Sequence, residues 1–131
     1  MTEMIEKLRE LRVLFVEDEA DLLEIITDAL ASLNVEFYTA TNGVEALEIL
    51  EKNPDINIIA TDINMPRMDG IELIKTLKKQ ENFNTPIVVM SAHTESEYIT
   101  EAESLGVKKY LSKPFDFMNF IKVISDMELN N

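Results

Sequence analysis

Apolar residues along the chain alternate between two patterns. Arg12–Val16, Ile56–Ala60 and Pro86–Met90 are short, nearly unbroken apolar runs of the kind found in strands buried on both faces. Val35–Ala40 is more alternating and suits a strand nearer a sheet edge, and Val107–Ser112 completes a set of five. Between the runs, apolar residues recur at helical spacing: Leu22, Leu23, Ile26, Ala29, Leu30 and Leu33; Val44, Leu47 and Leu50; Ile71, Ile74 and Leu77; Ile99, Ala102 and Leu105; Phe117, Phe120, Ile121 and Ile124. Each stripe predicts a helix with one buried face. Asn42, Asp69 and Thr94 stand as N-caps, with Glu45, Glu72 and Glu97 at capping-box spacing. Asn34, Asn53-Pro54-Asp55 and Gly106 close the helices before them.

Five strands alternating with five helices through short connections predict an α/β fold, a doubly wound parallel sheet covered on both sides. Met1, Met4, Ile5, Leu8 and Leu11 also fall at helical spacing. A helix over residues 2–10 is marginal in water unless it packs on something, so this stretch reads as a frayed lead-in, with a partner-binding extension as the alternative.

Composition narrows the class. At 131 residues, 46% hydrophobic and 28% charged, the chain has the profile of one globular domain with a real core. It has no cysteine, which removes disulfides, zinc thiolates and cysteine nucleophiles. No apolar run is long enough to span a bilayer, and the acidic N-terminus lacks a secretory core, so a cytoplasmic location and no membrane partner are expected. A net charge of −13 argues against nucleic-acid binding and leaves room for a cation site or a basic partner.

Parallel strands place all their carboxyl ends along one edge, which is where open α/β sheets bind ligands. Glu17 and Asp18 follow the first run, Asp62 the third, Ser91 the fourth and Lys113 the fifth. Carboxylates about 4 Å apart repel by roughly 4 kcal/mol at an effective dielectric of 20. Such a cluster must take up a proton, pair with Lys113 or hold a cation, and hard oxygen donors favour Mg²⁺. A strand-end carboxylate beside a metal, an ammonium and a hydroxyl is equipment for phosphoryl transfer, with Asp62 as nucleophile.

At this point the chain closely resembles the response-regulator receiver domain of bacterial two-component signalling. The resemblance rests on Leu14-Phe15-Val16-Glu17-Asp18-Glu19, Asp62-Ile63-Asn64-Met65-Pro66-Arg67-Met68-Asp69-Gly70, Met90-Ser91-Ala92 and Tyr110-Leu111-Ser112-Lys113-Pro114-Phe115. It implies the flavodoxin-like, CheY-like strand order 2-1-3-4-5, with residues 1–10 as an extension, 11–128 as the receiver and 129–131 as a tail. It implies that Asp62 accepts a phosphoryl group from a histidine kinase, a histidine phosphotransfer protein or a small donor such as acetyl phosphate. Asp18 and Asp62 would ligate Mg²⁺ directly, Glu17 through water and Asn64 through its backbone carbonyl. Lys113 would contact the phosphoryl group, as would the backbone at Asn64 and Ala92, and the Lys113-Pro114 bond would be cis. Ser91 and Tyr110 would form the switch pair, altering the surface of the fourth helix, fifth strand and fifth helix of the alternation. Such a protein is a signalling phosphoacceptor whose only catalysis is its own phosphorylation and dephosphorylation.

Other classes fit less well. A haloacid-dehalogenase phosphatase wants a second Asp two residues after the nucleophile, where this chain has Asn64. Pro66 and Arg67 break an EF-hand loop, and clustered acids repel a flavin phosphate. Ser91 has a competing role as a helix cap, Tyr110 as a core aromatic, and His93 reads as an exposed loop residue. The alternative function is a receiver-like scaffold that binds partners without phosphorylation. The output, whether a partner protein or a fused domain, stays open, as do homodimerisation and whether the chain is the front of a longer regulator.

Overall fold

A computed structural model describes residues 2–92 and 96–127. The elements run α1 (Thr2–Leu8), β1 (Arg12–Val16), α2 (Ala20–Ser32), β2 (Glu36–Ala40), α3 (Gly43–Lys52), β3 (Ile58–Asp62), α4 (Gly70–Lys78), β4 (Ile87–Ala92), α5 (Ser96–Ser104), β5 (Lys109–Lys113) and α6 (Phe117–Asp126). All strand pairs are parallel, in the order β2-β1-β3-β4-β5. β3 is buried throughout, while the edge strands β2 and β5 are only partly buried, in keeping with their less continuous apolar runs.

Period-2 alternation divides the core between the sheet faces. Val13 and Phe15 of β1, Ile58 and Ala60 of β3, and Val88 and Met90 of β4 meet Ile26 and Leu30 of α2 and Phe120, Ile121 and Ile124 of α6. Leu14, Val16, Ile59 and Val89 face the other way, onto α3, α4 and α5. Phe15 and Phe120 meet edge-on at 5.5 Å between centroids, and Phe115 stacks on Phe120 at 6.1 Å.

Among the described residues the helix count is six, not the expected five. The additional one is α1, which lies against α6 in place of a frayed lead-in. Leu8 and Leu11 are 2% and 0% exposed within the α6-side core, and that burial supplies what a seven-residue helix lacks alone.

The caps form with one variation. Asn42 and Asp69 accept from the Glu45 and Glu72 amides at 2.9 and 2.8 Å. The Glu45 carboxylate reaches back to Thr41, accepting from its amide and its hydroxyl at 3.2 Å each, so the reciprocal bond falls one residue early. Asp116 caps α6 through the Asn119 amide at 2.8 Å, a cap the apolar stripe did not signal. Gly106, at φ 94°, closes α5. The expected Thr94 cap and the placement of His93 lie outside the described residues, as do positions 129–131.

Candidate functional site

Three strands run further than their apolar runs suggest. β3 includes Asp62, β4 includes Ser91 and Ala92, and β5 includes Lys113, with Asp62 in register with Met90, Ser91 with Ser112 and Ala92 with Lys113. The chemistry-bearing residues are therefore held by the sheet's own ladder. Glu17 lies one residue past β1, and its amide donates to the Ala40 carbonyl at 2.9 Å.

Alternation also explains the convergence. Glu17, Asp62 and Lys113 each stand two residues beyond an α6-side core residue, Phe15, Ala60 and Leu111 respectively, and so share one face. The Lys113 ammonium donates to Glu17 Oε1 at 2.7 Å and to Asp62 Oδ2 at 3.0 Å. The other Asp62 oxygen, Oδ1, accepts from the Ile63 amide at 2.8 Å, and Glu17 Oε2 accepts from the Glu19 amide at 3.1 Å. Glu19 itself sits at the solvent side, 3.5 Å from Lys113. The sequence assigns Glu19 no role of its own within the acidic motif, although its place directly after the acidic pair is the available signal.

The β3–α4 loop is fastened at both ends. The Gly70 amide donates to the Ile63 carbonyl at 2.8 Å, and the Gly43 amide to the Met68 carbonyl at 2.8 Å. Asn64 is exposed within it, and Arg67 adopts φ 66°. The Lys113–Pro114 peptide is cis. Ser91 is 6% exposed and, with Tyr110, belongs by alternation to the opposite face of the sheet, where Tyr110 packs and donates its hydroxyl to the Val107 carbonyl at 2.8 Å. Burial, and then Glu103, raise the Tyr110 pKa.

Carboxylate oxygens of Glu17, Asp18 and Asp62 lie within 4.8 Å of one another. Glu17 is 0% and Asp62 5% exposed, whereas Asp18 faces solvent. Among the described residues Lys113 is the cation paired with these acids, so the cluster carries excess negative charge built of hard oxygen donors. That donor set fits Mg²⁺.

Burial raises the Glu17 pKa from an ordinary 4.5 to about 7; Lys113 pulls it back down and Asp62 pushes it further up. For Lys113, burial opposes the charge, but its bonds to Glu17 and Asp62 outweigh that and hold its pKa above the usual lysine value. Between pH 4.5 and about 7 the folded chain keeps a proton on Glu17 that the unfolded chain has lost. Stability from this group is therefore complete below pH 4.5 and falls as pH rises through 7, by about 3 kcal/mol in all. Urea unfolding in EDTA should show this decline between pH 5 and 7.5, and Glu17→Gln should flatten it; an equal slope in the variant would refute the assignment.

Residues 13–125 match the family model described as "Response regulator receiver domain". The chain belongs to the response-regulator receiver family. This receiver is 33% identical over 107 residues to a chemotaxis protein CheY homolog of Campylobacter jejuni, covering 80% of this chain and 82% of that one. It is 37% identical over 106 residues to the regulatory protein AtoC of Escherichia coli, covering 80% of this chain but spanning only 22% of AtoC. Among solved structures, the receiver superposes on a response regulator receiver protein from Pseudomonas putida with a TM-score of 0.82 at 28% identity, covering 89% of this chain and 97% of that one. For the chemotaxis response regulator CheY4 of Vibrio cholerae the TM-score is 0.79 at 30% identity, with 87% and 95% covered. Among the described residues, no helix of the receiver is long and apolar enough to cross a membrane.

Proposed function

We propose that this receiver takes a phosphoryl group onto Asp62 from the phosphohistidine of a histidine kinase or phosphotransfer protein, or from a small acyl phosphate. The observation that carries the proposal is the Asp62 carboxylate, fixed by Lys113 at 3.0 Å and within 4.8 Å of two further acids. An Asp62 oxygen attacks phosphorus as the bond to the donor nitrogen or carboxylate oxygen breaks, and the leaving group departs with that electron pair. Lys113 neutralises charge gathering on the phosphoryl oxygens, and the backbone at Asn64 and Ala92 offers amides to them. Mg²⁺, held by Asp18, Asp62, the Asn64 carbonyl and, through water, Glu17, would supply further charge neutralisation.

Ser91, at the end of β4, would donate its hydroxyl to the new phosphoryl oxygen. Tyr110 would turn inward as the Ser91 side moves, and the surface of α5, β5 and α6 would change for a partner or fused output domain. α5 suits such a change: it is acidic, and Ala102 is its fully buried apolar anchor, supported by partly buried Ile99 and Leu105. Residues 11–128 would form the receiver unit.

Incubation with acetyl phosphate and Mg²⁺ should add one phosphoryl mass to the chain, and Asp62→Asn should abolish the addition. Mg²⁺ at about millimolar concentration should raise the melting temperature of the parent chain, and Asp62→Asn should weaken that rise. An unmodified mass under these conditions would favour a scaffold that works without phosphorylation.

A further inference from the structure

At the edge of the sheet remote from Asp62 lies a cavity of about 400 Å³, between the end of α4, the starts of β4 and β5 and the end of α6. β4 alone puts roughly 16 Å between this edge and the phosphoacceptor edge, at about 3.3 Å per residue. The cavity floor is apolar: Ile87, Val107 and Met127 line it and are 6%, 6% and 4% exposed. Its rim is cationic, with Lys78, Lys108 and Lys109 set against Asp126 among the described residues.

That rim is unusual for this chain, which has 12 basic residues and 25 acidic ones. Arg12, Lys75 and Lys113 pair with carboxylates, yet none of the three rim lysines has one within 4.0 Å among the described residues. Lys78 also serves the C-terminal end of α4, and its ammonium lies 5.9 Å from the Phe83 ring. Lys108 and Lys109 are exposed and line the same cavity as the C-terminal ends of α4 and α6. Three ammoniums outweigh Asp126 and two helix C-termini of about half a charge each, so among the described residues the concavity stays net positive and attracts an anion.

We propose that this cavity binds a small polyanion with a flat apolar body, of the nucleoside di- or triphosphate class. Its volume is within the range of small-molecule sites, which are apolar with a few converging polar groups. The ring would lie on Ile87, Val107 and Met127, and the phosphates would take the ammoniums of Lys78, Lys108 and Lys109 through charge-assisted hydrogen bonds. The site is separate from the phosphoacceptor edge and needs no phosphorylation to form.

The test is titration of the full chain with ATP in EDTA, which removes metal from the Asp62 edge, followed by amide chemical shifts. Saturable shifts are expected at Thr85, Ile87, residues 106–109 and residues 126–127, half-complete below about 1 mM. Pyrophosphate should shift the same amides more weakly. The double variant Lys108→Glu/Lys109→Glu, changed only at exposed positions, should bind ATP about tenfold more weakly or worse. Four results would overturn the site: no saturation by about 10 mM ATP, shifts centred on residues 17, 18 and 62, adenosine binding as well as ATP, or the double variant binding like the parent.

Discussion

Lys113→Met should destabilise the metal-free protein by about 3–5 kcal/mol at pH 8, the range for removing one partner of a buried charge pair. The substitution keeps most of the side chain's length and apolar stem, so the loss reports the ammonium. Two carboxylates, Glu17 at 0% and Asp62 at 5% exposure, would be left facing each other without a counter-charge. One of them must then take up a proton. Glu17 is the ready acceptor, because burial already lifts its pKa to about 7. The penalty should therefore shrink at pH 5, where Glu17 is protonated in parent and variant alike. The double variant Lys113→Met/Asp62→Asn should recover much of the loss at pH 8, since it removes the second buried negative charge. Urea unfolding of the parent and both variants in EDTA at the two pH values checks this. A loss that is the same at pH 5 and pH 8 would mean that Lys113 contributes packing and not charge. Under phosphorylation conditions, the same Lys113→Met chain should be labelled by acetyl phosphate far more slowly than the parent.

Much of this site was visible in the order of residues because parallel topology turns sequence position into spatial position. Once five runs alternate with helical stripes, the residue after each run is placed on a common edge, and Glu17, Asp18, Asp62 and Lys113 meet there. Where the strands end was less legible. Apolar runs mark burial, and the ladder continues through polar residues such as Asp62 and Ser91 whenever a neighbouring strand still offers partners. α1 escaped for a different reason. Its seven residues are too few to hold a helix by themselves, and what holds them is the burial of Leu8 and Leu11 against a core that includes α6, more than 100 positions away in sequence. Nor does residue order alone tell that Glu17 is the fully enclosed acid and Asp18 the exposed one, and the protonation behaviour of the cluster depends on that difference. The lysine-rimmed cavity was hidden for the same reason, since Lys78 is separated from Lys108 and Lys109 until the sheet edge joins them.

The two glycines that frame the β3–α4 loop should respond differently to a methyl group, and Gly70 should respond more. A Cβ at Gly70 would overlap the Asp62 carbonyl oxygen and stand 3.1 Å from both the Asp62 carbonyl carbon and Ile63 Cα. All three atoms are backbone. They belong to the end of the fully buried β3 and to the residue after it, whose carbonyl already accepts from the Gly70 amide at 2.8 Å. Neither side can yield, so α4 must move away from the strand or the loop between them must rearrange. We expect Gly70→Ala to cost about 3 kcal/mol, the upper end for overpacking. A Cβ at Gly43 would instead meet Met68 side-chain atoms, Cγ at 2.5 Å, Sδ at 2.8 Å and Cβ at 2.9 Å. Rotation of Met68 carries its Cγ and Sδ aside and leaves only its Cβ, at 2.9 Å, to be relieved by a small shift of the loop, so Gly43→Ala should cost less, about 1 kcal/mol. The functional contrast should be larger still. Displacing the start of α4 moves the segment that carries Asp62 and Asn64, and a shift near 1 Å in a reacting group is worth about a hundredfold in rate. Labelling by acetyl phosphate should fall by about that factor in Gly70→Ala and stay close to the parent rate in Gly43→Ala. Equal losses in the two variants, in stability or in labelling, would show that the loop is not braced against the backbone of β3.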